Sequence, residues 1–166
     1  MRKSKSFFLN SLLLLLTAVL LIGCGGKEER KAKYLERGKA YFEEQNFDKA
    51  RVEFKNVLQI DPKTAGPYYY LGRIAEKEQE WRQAFGNYSK AVELDPDAPE
   101  VTEELADVLY TQGRFEEATR YYQRAVKAGN ASAESLYRLG MSLVQLDRID
   151  EALPHLKSAV TKNPSN

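Results

Sequence analysis

From residue 31 to residue 166 the chain repeats one pattern every 34 residues. Gly38, Gly72, Ala106 and Gly140 fall on one step of that period. Ala50, Ala84, Ala118 and Ala152 fall on a second, and Phe54, Tyr88, Tyr122 and Leu156 on a third. Pro62, Pro96 and Pro164 close three of the four periods, and Asn130 holds the fourth place. A fixed period of this length with no insertion is the signature of a stacked helix-turn-helix array. Each unit in such an array cannot bury its apolar face alone, so stability comes from stacking on its neighbours. The usual product is an extended surface for holding other proteins rather than a reaction centre.

Numbering each repeat from 1 to 34, the spacing predicts a first helix near positions 2–14 and a second near 17–30. Small residues at positions 8, 20 and 27 (Gly140, Ala152 and Ala159 in the last repeat) allow close helix approach. Bulky apolar residues at positions 4, 7, 11, 17, 24 and 28 fill the space between helices. Asp61-Pro62 and Asp95-Pro96 end the second helix, because proline disfavours a helical conformation in the residue before it. Gly129-Asn130 is expected to end its helix with a left-handed cap instead.

The repeats resemble the tetratricopeptide repeat family, whose pattern is Trp-x2-Leu-Gly-x2-Tyr, then Ala-x3-Phe, then Pro. The first repeat reads Tyr34, Arg37, Gly38, Tyr41, Ala50, Phe54, Pro62, and the last reads Leu136, Leu139, Gly140, Leu143, Ala152, Leu156, Pro164. Arg37, Ala75, Thr102 and Asn130 depart from the pattern. The resemblance implies an all-α, right-handed superhelical solenoid with repeats at 31–64, 65–98, 99–132 and 133–166. It also implies a concave groove lined by the first helices. In this chain those groove positions hold Leu35, Tyr69, Glu103 and Tyr137 (position 5) and Lys39, Arg73, Asp107 and Met141 (position 9). Phe42 and Tyr110 stand at position 12 and Lys77 at position 13. Aromatic rings mixed with both signs of charge suit a protein or peptide ligand, although the same rings could simply pack on each other across repeats. Leu35 and Lys39 do not reproduce the Lys/Asn clamp with which some family members hold a terminal carboxylate.

The N-terminus carries a separate signal. Met1-Arg2-Lys3-Ser4-Lys5 is basic, residues 7–22 are mostly apolar, and Leu21-Ile22-Gly23-Cys24 follows. That order is the layout of a secretory signal peptide. This mostly apolar run of 16 residues falls short of the roughly 20 that span a bilayer as a helix. Leu-Ile-Gly-Cys resembles the lipobox of bacterial lipoproteins. The resemblance implies removal of residues 1–23 and covalent lipid, palmitate included, on Cys24. Residues 24–30 would then form a short tether holding the repeats against a membrane. Gly25 is not the aspartate that retains many such proteins in the inner membrane, so the expected address is the outer membrane, facing the periplasm. The combination is similar to bacterial repeat lipoproteins, including long ones tied to PEP-CTERM protein sorting. Pilotin-like lipoproteins for type IV pilus secretins share the same layout. A non-catalytic N-terminal part of a longer enzyme is the reading from another class.

Composition narrows the function further. The chain holds 25 basic and 24 acidic residues. Loss of Arg2, Lys3 and Lys5 with the leader leaves 22 basic residues and a net charge of −2. No basic excess remains to neutralise phosphates, so nucleic acid is not an expected partner. Cys24 is the single cysteine, which excludes an intrachain disulfide. His155 is the single histidine and no Cys/His spacing suits zinc, so neither a catalytic residue nor a metal or other cofactor is expected. Trp81, at position 17, reads as a packing residue. Leu153, Leu156 and Val160 would be partly uncovered on the last helix, because repeat arrays normally end in a polar cap. The expectation is a longer native array, or an end covered by a partner or by self-association.

Overall fold

The computed structural model describes residues 26–129 and 131–163. Eight α-helices are present among them: α1 (26–43), α2 (Phe47–Ile60), α3 (Ala65–Lys77), α4 (Trp81–Leu94), α5 (Pro99–Thr111), α6 (Phe115–Lys127), α7 (Ala133–Gln145) and α8 (Ile149–Lys162). The chain divides into two compact units at Pro62/Lys63. Cys24 and the apolar run before it lie outside the described residues, and no helix among those described is long and apolar enough to cross a membrane.

The first unit is the hairpin of α1 and α2. Residues 26–30, expected to form a tether, are helical and continue into α1. The reason is local: residues 27–33 are helix formers without a break, Lys31 pairs with Glu28 at 2.7 Å, and the Arg30 Nε donates to the Gly26 carbonyl at 3.2 Å. Lys31 also reaches Asp61 at the end of α2, 3.1 Å away, and ties the open end of the hairpin. Gly38 faces the buried Phe54 ring so closely that a Cβ would stand 2.6 Å from it. Arg37, out of pattern at an apolar position, bonds Glu53 on α2 at 2.7 Å and lies 5.0 Å over the Tyr34 ring.

The second unit stacks three hairpins, α3/α4, α5/α6 and α7/α8, with α4 against α5 and α6 against α7. One continuous core runs through it, from Tyr88 and Val92 through Val101, Leu105 and Leu109 to Tyr122, Leu139 and Leu143. The period's small residues again admit large ones. A Cβ on Gly72 would meet Tyr88 at 2.6 Å, and one on Gly140 would meet Leu156 at 2.5 Å.

All four hairpins turn in the same way. The amide at position 16 donates to the carbonyl at position 11 (Asn46 to Tyr41, Glu80 to Ala75, Arg114 to Leu109, Arg148 to Leu143) at 2.8–2.9 Å. The amide at position 15 donates to position 12 at 2.9–3.0 Å. This is the Schellman motif, which requires a left-handed residue at position 15. Gln45, Gln79, Gly113 and Asp147 occupy it with φ of 57°, 60°, 72° and 60°. The motif ends each first helix at position 13, one residue before the sequence expectation. Only Gly113 adopts that conformation without a Cβ penalty, so Gln79→Gly is expected to stabilise the protein by about 0.5–1 kcal/mol. Urea denaturation checks this, and a lower midpoint would contradict it.

The second helices end as expected. Asp61, Asp95 and Asn163, each before a proline, leave the helix at φ −146°, −136° and −139°. Where proline is missing, α6 stops at Lys127 and Gly129 turns left-handed at φ 79°.

Candidate functional site

Within the second unit, the first helices α3, α5 and α7 present positions 5, 6, 9, 12 and 13. These separate into two environments that the repeat pattern had merged.

At Tyr69 and Glu103, position 5 belongs to the seam between consecutive hairpins rather than to an open groove. Tyr69 is half-buried against the core. Its ring lies 6.2 Å from Tyr88 and 5.3 Å from Tyr70, and burial first, then the charges of Glu104 and Glu100 on α5, raise its hydroxyl above the usual phenol range against the pull of Arg73. Glu103, at the same position one repeat later, accepts a 3.2 Å bond from the Ser132 amide at the start of α7. Tyr137, in the last repeat, is exposed and lines a cleft with residues of α8. Leu35, its counterpart in the first unit, is half-buried.

Position 12 is also partly withdrawn from the surface. Phe42, expected as an exposed groove ring, is buried and packs 5.7 Å from Phe47, the first residue of α2. Tyr110 repeats the arrangement with Phe115 at 5.5 Å, edge to face. These two hairpins thus close on a ring from either side of their own turn, so each ring already has an aromatic partner within the hairpin. Tyr110 keeps some exposure, with the Arg138 guanidinium 6.0 Å over its face.

The open face is built from positions 6, 9, 12 and 13. Arg73, Glu76, Lys77, Gln79 and Trp81 from the α3/α4 hairpin, with Glu104 from α5, line a depression of about 420 Å³. Arg73 also lies 5.6 Å over the Tyr69 ring. Glu76 accepts from the buried Tyr88 hydroxyl at 2.8 Å. One repeat on, Asp107 accepts from the Tyr122 hydroxyl and pairs with Arg138 of α7 at 2.9 Å; Arg138 also holds Glu134 at 2.8 Å. Lys77 is exposed, Lys39 is exposed on α1, and Met141 is half-buried.

The electrostatics of this face follow from crowding. Burial first, then the nearby Glu76 and Asp107 carboxylates, push the Glu104 carboxyl up to about 7, against the opposing pull of Arg73. Burial also raises Asp107, opposed by its bonds to Tyr122 and Arg138. A folded-state value above the ordinary 4.5 means that the folded chain binds more protons than the unfolded chain between about 4.5 and 7. Stability is therefore expected to fall as pH rises through that interval. Glu104→Gln should reduce the fall, as read from urea midpoints between pH 5 and 7.5; parallel curves for variant and wild type would overturn the assignment.

Arg138 was not singled out from sequence, and Glu104 reads there only as one of a solvated pair, Glu103-Glu104, on a helix surface. The available signal was a charged side chain at position 6, between the packing positions 4 and 7. Trp81, expected purely as packing, is half-buried and also lines the depression. Among the described residues no group of three or more His, Cys, Asp or Glu side chains could hold a metal ion.

The comparisons with known proteins agree with this architecture. The sequence matches a tetratricopeptide repeat profile over residues 103–166 and a TPR repeat profile over residues 38–79. A comparison with curated proteins yields no match. Among solved structures, MamA of AMB-1 superposes with a TM-score of 0.70 at 25% identity, covering 80% of this chain and 73% of MamA. Pseudomonas aeruginosa PilF superposes at 0.69 with 24% identity, over 85% of this chain and 64% of PilF. YrrB, described as a TPR protein with an unusual peptide-binding site, superposes at 0.68 with 21% identity, over 90% of this chain and 84% of YrrB. The two profiles, the period with its small-residue positions and the stacked hairpins coincide: the chain belongs to the tetratricopeptide repeat family.

Proposed function

We propose that this chain is a lipid-anchored, envelope-facing adaptor that binds an extended protein segment on the open face of α3 and α5. The observation that carries the reading is the depression lined by Arg73, Glu76, Lys77, Gln79, Trp81 and Glu104. It is concave, carries both charge signs, and offers the edge of an indole beside them. Such a mixture suits a peptide, whose backbone amides and carbonyls can meet carboxylates and cations in turn while a side chain covers the indole. The raised Glu104 carboxyl adds a preference for a basic side chain in the ligand, which would relieve the crowding of Glu76, Glu104 and Asp107. The membrane anchor of this proposal is lipid on Cys24, with the outer membrane facing the periplasm as its address.

The test is photo-crosslinking in cells from a photoreactive residue at Lys77, read by mass spectrometry. Lys77 serves better than Tyr69, which is packed in the stacking seam, and better than Tyr137, which lines a separate cleft with α8. A discrete partner is expected from Lys77 and not from Arg120, which is exposed on α6. The partner's identity separates an adaptor for protein sorting or export from a pilotin-like assembly factor. Products identical from both positions would reject the open face as the working surface.

A further inference from the structure

Two successive steps of the array treat the same buried hydroxyl differently. Between α5 and α7, Asp107 accepts from the buried Tyr122 hydroxyl, and Arg138, at position 6 of the next repeat, pairs with it. One guanidinium there bridges two acids: its Nη1 lies 2.9 Å from Asp107 and its Nε 2.8 Å from Glu134. It also lies 6.0 Å over the Tyr110 ring. Between α3 and α5, the buried Tyr88 hydroxyl again donates to a half-buried carboxylate, that of Glu76. Position 6 of the next repeat is here Glu104, so an acid stands where the following step has its arginine. Glu76 and Glu104 line the same depression as Trp81. Arg73 does not take the missing role. It lies 5.6 Å over the Tyr69 ring, and the Glu104 carboxyl stays raised to about 7 in spite of its pull.

We propose that this depression is a receptor for an arginine side chain of the bound segment, whose guanidinium bridges Glu76 and Glu104 as Arg138 bridges Asp107 and Glu134. The proposal rests on the peptide reading of the α3/α5 face and names the side chain that the face selects. A planar guanidinium aims N–H groups at two carboxylates at once, whereas a lysine ammonium is a compact point charge. Trp81 adds an aromatic surface of the kind on which a guanidinium stacks. The groups acting on Glu104 are Arg73, Glu76 and Tyr69 on α3, Tyr88 on α4, and Glu103 and Asp107 on α5, the last already paired with Arg138 of α7. An added guanidinium favours the charged carboxylate. Arginine binding therefore releases the proton that Glu104 holds below about pH 7, and the complex loosens as pH falls.

The probe is acetyl-Gly-Ser-Gly-Arg-Gly-Ser-Gly-amide, titrated against the full-length chain in detergent micelles and followed by the fluorescence of Trp81, the single tryptophan. The same peptide with citrulline, which keeps the shape and removes the charge, is the control. A lysine peptide tests the need for a planar fork. A saturable change is expected with arginine, a weaker one with lysine and none with citrulline. Arginine affinity should rise about eightfold from pH 6 to pH 7.5, the change for one proton released from a carboxyl at about 7. Glu104→Gln should bind weakly and without that rise. Glu104→Arg supplies the cation from the chain itself and should not bind. Circular dichroism checks that both variants fold. Equal binding of the arginine and citrulline peptides would overturn the arginine receptor and leave a peptide site in place. Lysine binding as tight as arginine would overturn the choice of side chain. No binding by any of the peptides, or a pH rise retained in Glu104→Gln, would also overturn the proposal; a discrete partner crosslinked from Lys77 would then uphold the peptide reading on its own.

Discussion

Tyr122→Ala is expected to cost about 3–5 kcal/mol of stability, the range for removing a large aromatic side chain from a packed interior. Tyr122 is fully buried on α6, in the core shared by all three hairpins of the second unit. Its hydroxyl donates to Asp107 on α5, and Asp107 pairs with Arg138 on α7. The substitution therefore opens a cavity and removes a donor from a half-buried carboxylate that links one hairpin to the next. Tyr122→Phe isolates the second effect: the ring remains and only the hydroxyl is lost. Its expected cost is about 1.5–3 kcal/mol, the range for a hydrogen bond to a charged group. Urea unfolding of the two variants separates the contributions. Because hairpins in a repeat array support one another, the Ala variant should lose helicity over the second unit as a whole. A midpoint unchanged from wild type in Tyr122→Ala would sink this account of the core.

Cys24→Ala is expected to abolish incorporation of labelled palmitate and to leave the precursor with residues 1–23 attached. Sulfur is the atom that the lipobox resemblance places at the acylation step, and alanine has none. Cleavage before Cys24 is expected to follow lipid transfer, so both events fail together. Fractionation alone is a poor readout, because an uncleaved, mostly apolar segment of 16 residues can itself hold the chain at a membrane. Lipid label and the electrophoretic shift between precursor and mature chain are the decisive pair. Two or more acyl chains give stable anchoring where one is marginal, so the lipidated wild type should resist high-salt extraction from membranes. Label that persists in Cys24→Ala would refute lipidation at this residue.

The repeat architecture was almost wholly legible in the sequence. Helix boundaries within each repeat followed from the small residues and the prolines, and the left-handed stop at Gly129 followed from glycine's freedom where proline was missing. The left-handed residues at position 15 were not legible. Gln45 and Gln79 carry no local mark of that conformation, whereas Asp147 is one of the few non-glycine residue types that favour it; at the glutamines the surrounding hydrogen bonds impose it. The groove assignment was legible only in part. The pattern placed Arg73, Lys77 and Asp107 on one side of the first helices; Arg73 and Lys77 line the depression there, and Asp107 pairs with Arg138. It also placed Tyr69 and Phe42 there, which are packed, because an aromatic residue on a helix surface reads the same whether it meets a ligand or a neighbouring helix.

That distinction marks the division between the two levels. Periodicity is a property of one helix and its partner a few residues away, so the order of small, large and breaking residues determined, among the described residues, eight helices, four turns and the packing of each hairpin. Exposure depends on which surface arrives from a neighbouring repeat, and no residue carries that information by itself. Ala65, Tyr69, Ala91 and Val92 are identical in type to Ala133, Tyr137, Ala159 and Val160. Tyr69, Ala91 and Val92 of the first set pack into the core that includes α5, whereas Tyr137 and Val160 of the second stand in solvent. The crowding of Glu76, Glu104 and Asp107 likewise arises only when α3 and α5 come together, since burial and mutual repulsion act through space and not along the chain.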